Sequence, residues 1–421
     1  MKNTGKNYRI LAQGHVMNNN TWETGINNND LVIGPAGAGK TRGYVKPNLM
    51  QCNESMVITD TKGSLIHEVG PLLRGNGYQV IHIDFTDMED SYGYNPLDYI
   101  HCDKETGKYS EQDIMSICAC LVPIENERDP FWDLSARMYL AALVGYVMEC
   151  LPPEEHTLQY VTEVFDLMSS DQFDKLFAEL GVQNPDSFAY KKYTMFRGNR
   201  KAEKMHESIR GILIEKLDTL TYDGPVKLFN QPNKVEFSQL GKEKTAVFLS
   251  VSDTDRSSDR LVNLFYTQAL QALCASADKD YQNHRLPVPV RFILDDFATN
   301  AEIPDFDKII SVIRSREIYV SIILQSLSQL NAIYGKDRAM TIINNCDNCL
   351  YLGGQDVDTA RYISLKANRT VDSILNLPLN EAYLFTRGTL PQKVQKYDIK
   401  NHVRYRELPE AAMKGVDMQP S

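Results

Sequence analysis

No run of this chain is apolar for long enough to cross a bilayer. The longest, Met138 to Met148, falls far short of the ~20 residues that a spanning helix needs and reads as a buried helix. The opening "MKNTGKNYRI" has no apolar core behind it, so it is not a secretory signal. Cysteine is sparse: eight residues spread over 421 exclude a disulfide framework and suit a reduced, intracellular chain. Cys346 and Cys349 form "CDNC" with no second pair at zinc-like spacing, and Cys118 and Cys120 sit in the apolar "ICACLV". Both pairs read as buried thiols and not as metal ligands. A positive charge excess is also missing. The net charge of -10 excludes a protein that coats nucleic acid over its whole surface, though not a local basic lining. No internal repeat is present.

What is present supports a sizeable core. Apolar residues make up 43% of the chain, and its length suits two or three domains. The first segment is polar and irregular, with an Asn-rich turn at "GINNND". "DLVIG", "SMVITD" and "YQVIHIDF" then read as strands, with helical stretches between them, including Gly39 to Leu49. This alternation predicts a parallel α/β sheet. From about Ser110 to Lys216 the spacing turns helical, as in "LSARMYLAALVGYVMECL". Strands return as "TAVFLSV", "VPVRFILDD", "IYVSIILQ", "NCLYLG" and "AYLFTRG", and "LPQKVQKYDI" suits an added hairpin strand. The expected organisation is a nucleotide-binding domain over 1–104 and 226–400, an all-α insertion over 105–225, and a loose polar tail over 401–421.

Residues Gly34, Pro35, Ala36, Gly37, Ala38, Gly39, Lys40 and Thr41 read "GPAGAGKT". This is the P-loop pattern, set between a strand and a helix. The glycines let backbone N–H groups curl around an anion, and the helix N-terminus adds favourable dipole charge. Lys40 is placed to reach the β- and γ-phosphates of ATP, and the Thr41 hydroxyl to bind Mg²⁺. Such a loop needs an acidic partner. "VPVRFILDDFATN" offers one: a buried-type strand ending in Asp295 and Asp296. The C-terminal ends of parallel strands are where ligands gather. Asp295 would hold the Mg²⁺ shell, and Asp296 would orient or deprotonate the attacking water. Gln325 ends another apolar strand, where its amide can sense the γ-phosphate. Arg314 and Arg316, just before that strand, are candidates for an arginine finger acting on a neighbouring subunit, or else ordinary surface ion pairs. Asp60 ends the second strand and either assists the cation or caps the next helix.

These segments together resemble the type IV secretion coupling proteins, the ATPases of conjugative DNA transfer. The resemblance runs through "TGINNNDLVIGPAGAGKTRGYVKPNLMQCNESMVITDTKGSL", then "YGYNPLDYI", "DPFWDLSARMYLAAL", "FILDDFATN" and "IILQSLSQL" in the expected order. It implies a RecA-like P-loop NTPase domain carrying an inserted all-α domain, and hexamers at the cytoplasmic face of the membrane. It further implies that ATP hydrolysis delivers a relaxase bound to single-stranded DNA to the secretion channel. Two departures stand out. The family usually ends the acidic strand in Asp-Glu, where this chain has Asp295-Asp296. Family members also usually begin with membrane-spanning helices, so an anchor is expected outside this chain or on a partner. Two other readings share the nucleotide chemistry: a different hexameric DNA translocase, and a nucleotide-gated scaffold that does not hydrolyse.

A DNA path on so acidic a chain must be local. "KKYTMFRGNRKAEK" holds Lys191, Lys192, Arg197, Arg200, Lys201 and Lys204, with Tyr193 and Phe196 interleaved. Basic groups there can release counterions from a phosphate backbone, and rings can stack on single-stranded bases. The same run also suits a solvated face. Trp132, in "DPFWD", is expected to pack into a core.

Overall fold

The computed structural model describes residues 7–126, 128–167, 171–197, 203–297 and 302–411. Its strands are β1 (Tyr8–Ala12), β2 (His15–Asn18), β3 (Asp30–Ile33), β4 (Ser55–Asp60), β5 (Gln79–Asp84) and β6 (Thr245–Ser250). They continue as β7 (Val290–Leu294), β8 (Ile318–Leu324), β9 (Asn348–Tyr351), β10 (Glu381–Thr386) and β11 (Gln392–Gln395). Nine of them form one sheet in the order β11-β10-β9-β3-β8-β7-β4-β6-β5. From β9 to β5 every pairing is parallel, while β10 and β11 add as an antiparallel edge. Burial explains why the central strands are mostly apolar. Every residue of β3, β4, β6, β7, β8 and β9 is buried, as parallel strands covered on both faces must be. At the edge, β5 alternates between half-buried and buried positions after the exposed Gln79.

The chain divides into two compact units. The sheet unit takes residues up to Thr86, Glu236–Arg256 and residues from Leu270 onward. The helical unit takes Asp87–Val235 and Ser257–Ala269. The helical unit reaches beyond 105–225 on both sides because the flanking segments fasten to its own helices. The Tyr94 hydroxyl donates to Gln268 Oε1 at 2.5 Å, and Asn95 Nδ2 to the His156 carbonyl at 2.7 Å.

The helical unit is organised on the helix Phe131–Cys150, whose apolar residues bury on several sides, including Tyr139, Leu143, Val144 and Met148. Helix Phe188–Arg197 packs so closely on it that a Cβ at Gly145 would lie 2.9 Å from the Phe188 ring. Aromatics fill the interior. Tyr139 stacks on Phe196 with centroids 3.6 Å apart, and Phe177 on Tyr193 at 4.6 Å.

The opening segment is not irregular. β1 and β2 form a hairpin fixed by buried charge. The Arg9 guanidinium donates twice to Asp30, at 2.6 and 2.9 Å, and also to Asn19 and Asn28. Asp30 further accepts from the Tyr44 hydroxyl at 2.6 Å and from Asn348 at 3.0 Å. Arg291 completes the cluster. It bonds Glu54, donates to Ser321 at 3.1 Å and lies 3.7 Å from Asp30. The start of the polar C-terminal stretch is also held: Leu408 is buried in the sheet unit's core, and Glu410 pairs with Arg42 at 3.0 Å.

Candidate nucleotide-binding site

The P-loop leaves the centre of the sheet. β3 lies between β8 and β9, and the Gly34 N–H still donates to Leu324, so the ladder runs into the loop. Gly37 and Gly39 then take left-handed φ values of 76° and 91°, where a side chain would be strained. The helical segment that follows begins as a π-turn over Thr41–Val45 and becomes α-helical over Lys46–Leu49. Such wide turns are frequent at functional sites. Here the turn carries Tyr44 inward to Asp30.

Sequence-distant groups meet at this loop. Lys40 is buried, and its ammonium donates to the Gly34 carbonyl at 2.8 Å and to that of Pro35 at 3.3 Å. It stands 3.8 Å from an Asp296 oxygen. The Thr41 hydroxyl donates to Asp295 Oδ2 at 3.1 Å. The other Asp295 oxygen accepts the Asp296 N–H at 3.0 Å. Gln325, just past β8, holds its amide 3.5 Å from Asp296 Oδ1. A cleft of about 580 Å³ runs over these groups. The arrangement follows from topology: β3, β8 and β7 are adjacent and parallel, so their C-terminal ends deliver the loop, the glutamine and the acids side by side.

The acids are not equivalent. Asp295 is buried, and desolvation followed by the nearby Asp296 charge pushes its carboxyl up to about 6. Asp296 sits on a left-handed residue, φ 49°, with its side chain 28% exposed. A carboxylate that burial penalises in this way is relieved by a cation beside it. Thr41 and Asp295 are the groups here that can hold one. Among the described residues, no group of three or more His, Cys, Asp or Glu could hold a metal.

The raised Asp295 value has a testable sign. The folded state binds its proton more tightly than the unfolded state, so ionisation costs stability as pH rises from about 4 through 6. Asp295→Asn is therefore expected to stabilise the metal-free protein at pH 7.5 by on the order of 2 kcal/mol. The gain should fade below pH 4. Urea unfolding at the two pH values checks this, and equal effects at both would overturn it.

The predicted arginines lie elsewhere. Arg314 and Arg316 precede β8, at the strand end opposite Gln325. Arg314 donates to the Thr21 hydroxyl at 2.8 Å, and Arg316 makes a two-pronged pair with Asp278 at 2.9 and 2.8 Å. Within this chain they are not brought to the phosphate site. Asp60 lines the phosphate cleft and accepts the Leu65 N–H at 2.7 Å, at the start of the next helix. Of the basic run, Lys191, Arg197 and Lys204 are exposed. Lys191 pairs with Asp186 at 3.2 Å, and Lys192 lies over the Phe188 ring. Arg200 and Lys201 lie outside the described residues. Tyr193 and Phe196 are buried in the helical core and offer no stacking face, because their rings fill space between helices. Trp132 is half-exposed and packs edge-on to the exposed Phe131, not into the core. Sequence reading missed Arg42, Lys46, Glu68 and Asp253, which line the phosphate cleft. Asp253 was the findable one, since it follows the C-terminal end of a parallel strand, β6.

Residues 3–373 match the family model described as type IV secretory system conjugative DNA transfer. The chain belongs to this family. Within it, the chain is 24% identical over 337 residues to Protein VirD4 of Agrobacterium fabrum, covering 79% of this chain and 48% of that one. It is equally similar to Protein VirD4 of Rhizobium radiobacter, of which 47% is covered. The chain thus spans about half the length of these curated relatives. The fold is similar to that of the bacterial conjugative coupling protein TrwBdeltaN70, with a TM-score of 0.71 at 18% identity, covering 95% of this chain and 90% of that one. TrwB in complex with ADP and Mg²⁺ gives 0.67 at 17%, covering 94% and 90%. The architecture is therefore the RecA-like P-loop NTPase of the conjugative DNA-transfer family, with its inserted helical domain.

Proposed function

We propose that this chain is the ATP-hydrolysing part of a coupling protein. It delivers relaxase-bound single-stranded DNA, or protein substrates, to a type IV secretion channel during conjugation. The observation that carries this reading is the meeting of Lys40, Thr41, Asp295, Asp296 and Gln325 in one cleft. A solved TrwB complex contains ADP and Mg²⁺, and another an ATP analogue, which supports ATP and Mg²⁺ for this chain. Working assemblies are homo-oligomers, taken to be hexamers at the cytoplasmic face of the membrane. No helix among the described residues is long and apolar enough to cross a bilayer.

The residues divide the work. The P-loop amides and Lys40 hold the phosphates and offset charge as it shifts to the leaving oxygens. Thr41 and Asp295 would hold Mg²⁺, which would supply positive charge beside the phosphates. Asp296 orients the attacking water and takes its proton, and Gln325 keeps that carboxylate facing the cleft. The exposed Lys191, Arg197 and Lys204 give a DNA path that reads phosphate charge and not bases, so binding falls steeply with salt and shows little sequence preference.

The test is phosphate release at high protein concentration, with and without single-stranded DNA. DNA-stimulated turnover, lowered about 100-fold by Lys40→Ala, is expected. A second reading is favoured by one observation, the short Asp at position 296 drawn to within 3.8 Å of Lys40. It makes the chain a nucleotide-gated scaffold. Tight ATP binding with no turnover in the assembled ring would select it.

A further inference from the structure

Asp296 holds a backbone conformation that needs support. Its φ of 49° is left-handed, a region that aspartate tolerates better than most residues but that persists only where the surroundings fix it. On one side the support is local, since the Asp296 N–H donates to Asp295 Oδ1 at 3.0 Å. On the other side stands Phe297. Its N–H donates to the Ile323 carbonyl at 3.1 Å. Its ring lies nearly parallel to that of Tyr334, with centroids 5.8 Å apart and planes at 15°, and 5.1 Å from the Phe306 ring. All three rings are buried.

Tyr334 is held from several sides. Its hydroxyl accepts the Ile303 N–H at 3.0 Å and donates to the Ile303 carbonyl at 3.4 Å. The Arg338 guanidinium lies over its ring at 5.2 Å and pairs with Glu302 and Asp307, each at 3.0 Å. A break in the helix Leu327–Asn344 allows this. Gly335 takes φ 71° and ψ 162°, a combination essentially confined to glycine. The helix therefore turns directly after Tyr334, with Arg338 beyond the bend. Its first half begins just after the Gln325-Ser326 pair, so one helical piece links the cleft's amide to the ring that carries Phe297. Buried aromatic clusters are ordinary core. This one differs because its Phe297 is covalently next to the left-handed acid of the cleft.

We infer that Tyr334 is a positioning residue for the reaction: through the Phe297 ring it holds Asp296 in its left-handed conformation, and so keeps that carboxylate beside Lys40 and Gln325. The inference rests on the reading of Asp296 as the group that handles the attacking water, and its experiment separates the two. Phosphate release over a range of ATP concentrations and calorimetric Mg·ATP binding are measured on the full chain. The variants are Tyr334→Leu, Tyr334→Phe, Asp296→Asn and the double variant of Tyr334→Leu with Asp296→Asn. Leucine fills much of the space but removes the ring against which Phe297 rests. Tyr334→Leu should lower kcat about 10- to 100-fold, the cost of misplacing a reacting group by about 1 Å, with KM and ATP binding near the parent's. Tyr334→Phe keeps the ring and should restore kcat. In the Asp296→Asn background, Tyr334→Leu should lower kcat no further, because the group that it places is already disabled. A full further loss there would overturn the inference and leave the role of Asp296 standing, and so would a parent-like kcat in Tyr334→Leu. Parent-like kcat in Asp296→Asn would remove both readings. Should Tyr334→Leu fail to fold, Phe297→Leu removes the same ring contact from the other side and is read in the same way. Loss of ATP binding together with kcat in both leucine variants would also overturn the inference, since the cluster would then only hold the fold.

Discussion

Asp296→Asn is expected to keep ATP binding and to lower turnover by about 10²- to 10⁴-fold, the span of general-base contributions. Asparagine has nearly the same shape but cannot take a proton. Its amide can still contact Gln325, whose Nε2 lies 3.5 Å from Asp296 Oδ1. Binding should survive for an electrostatic reason: the Asp296 charge raises the Asp295 carboxyl, so removing it leaves Asp295 a better cation ligand. Asp296→Glu adds the methylene that the family's usual Asp-Glu ending would supply, and should at least retain turnover. Steady-state phosphate release beside calorimetric nucleotide binding reads both quantities. Full activity in Asp296→Asn would show that another group handles the water.

The second large effect is on stability. Asp30→Ala should cost about 3–5 kcal/mol, the usual penalty for breaking a buried ion pair from one side. Asp30 is 1% exposed, and it accepts from Arg9, Tyr44 and Asn348. Removing it leaves the buried Arg9 guanidinium with only amide oxygens, and Arg291 with Glu54 as its remaining acid. The hairpin β1–β2 and the turn after the P-loop lose their common anchor, so ATP affinity should fall as well. Urea unfolding followed by circular dichroism measures the loss. A cost under about 1 kcal/mol would mean that Glu54 and the asparagines satisfy both guanidiniums by themselves.

Much of this was legible from sequence wherever the signal was local. The P-loop after β3, the acidic end of β7 and the glutamine after β8 each follow a mostly apolar run. A parallel sheet then brings their ends together. The hairpin at Tyr8–Asn18 was not legible, because Arg9 looks like a surface residue until Asp30, 21 positions away, is placed beside it. Tyr193 and Phe196 misled for the opposite reason. Their basic neighbours on the same helix suggested a wet surface, while helical spacing turns the rings inward.

The connection from β5 to β6 has a consequence for how such proteins diversify. These strands are parallel neighbours at one edge of the sheet, and a crossover between them needs only about a dozen residues. The chain uses that crossover, from residue 85 to residue 244, to house nearly all of the helical unit. The loop, the glutamine and the acids sit on β3, β8 and β7, whose spacing is set by their own ladder. Lineages can therefore exchange or redesign the cassette between β5 and β6 to suit new cargo while inheriting the engine unchanged.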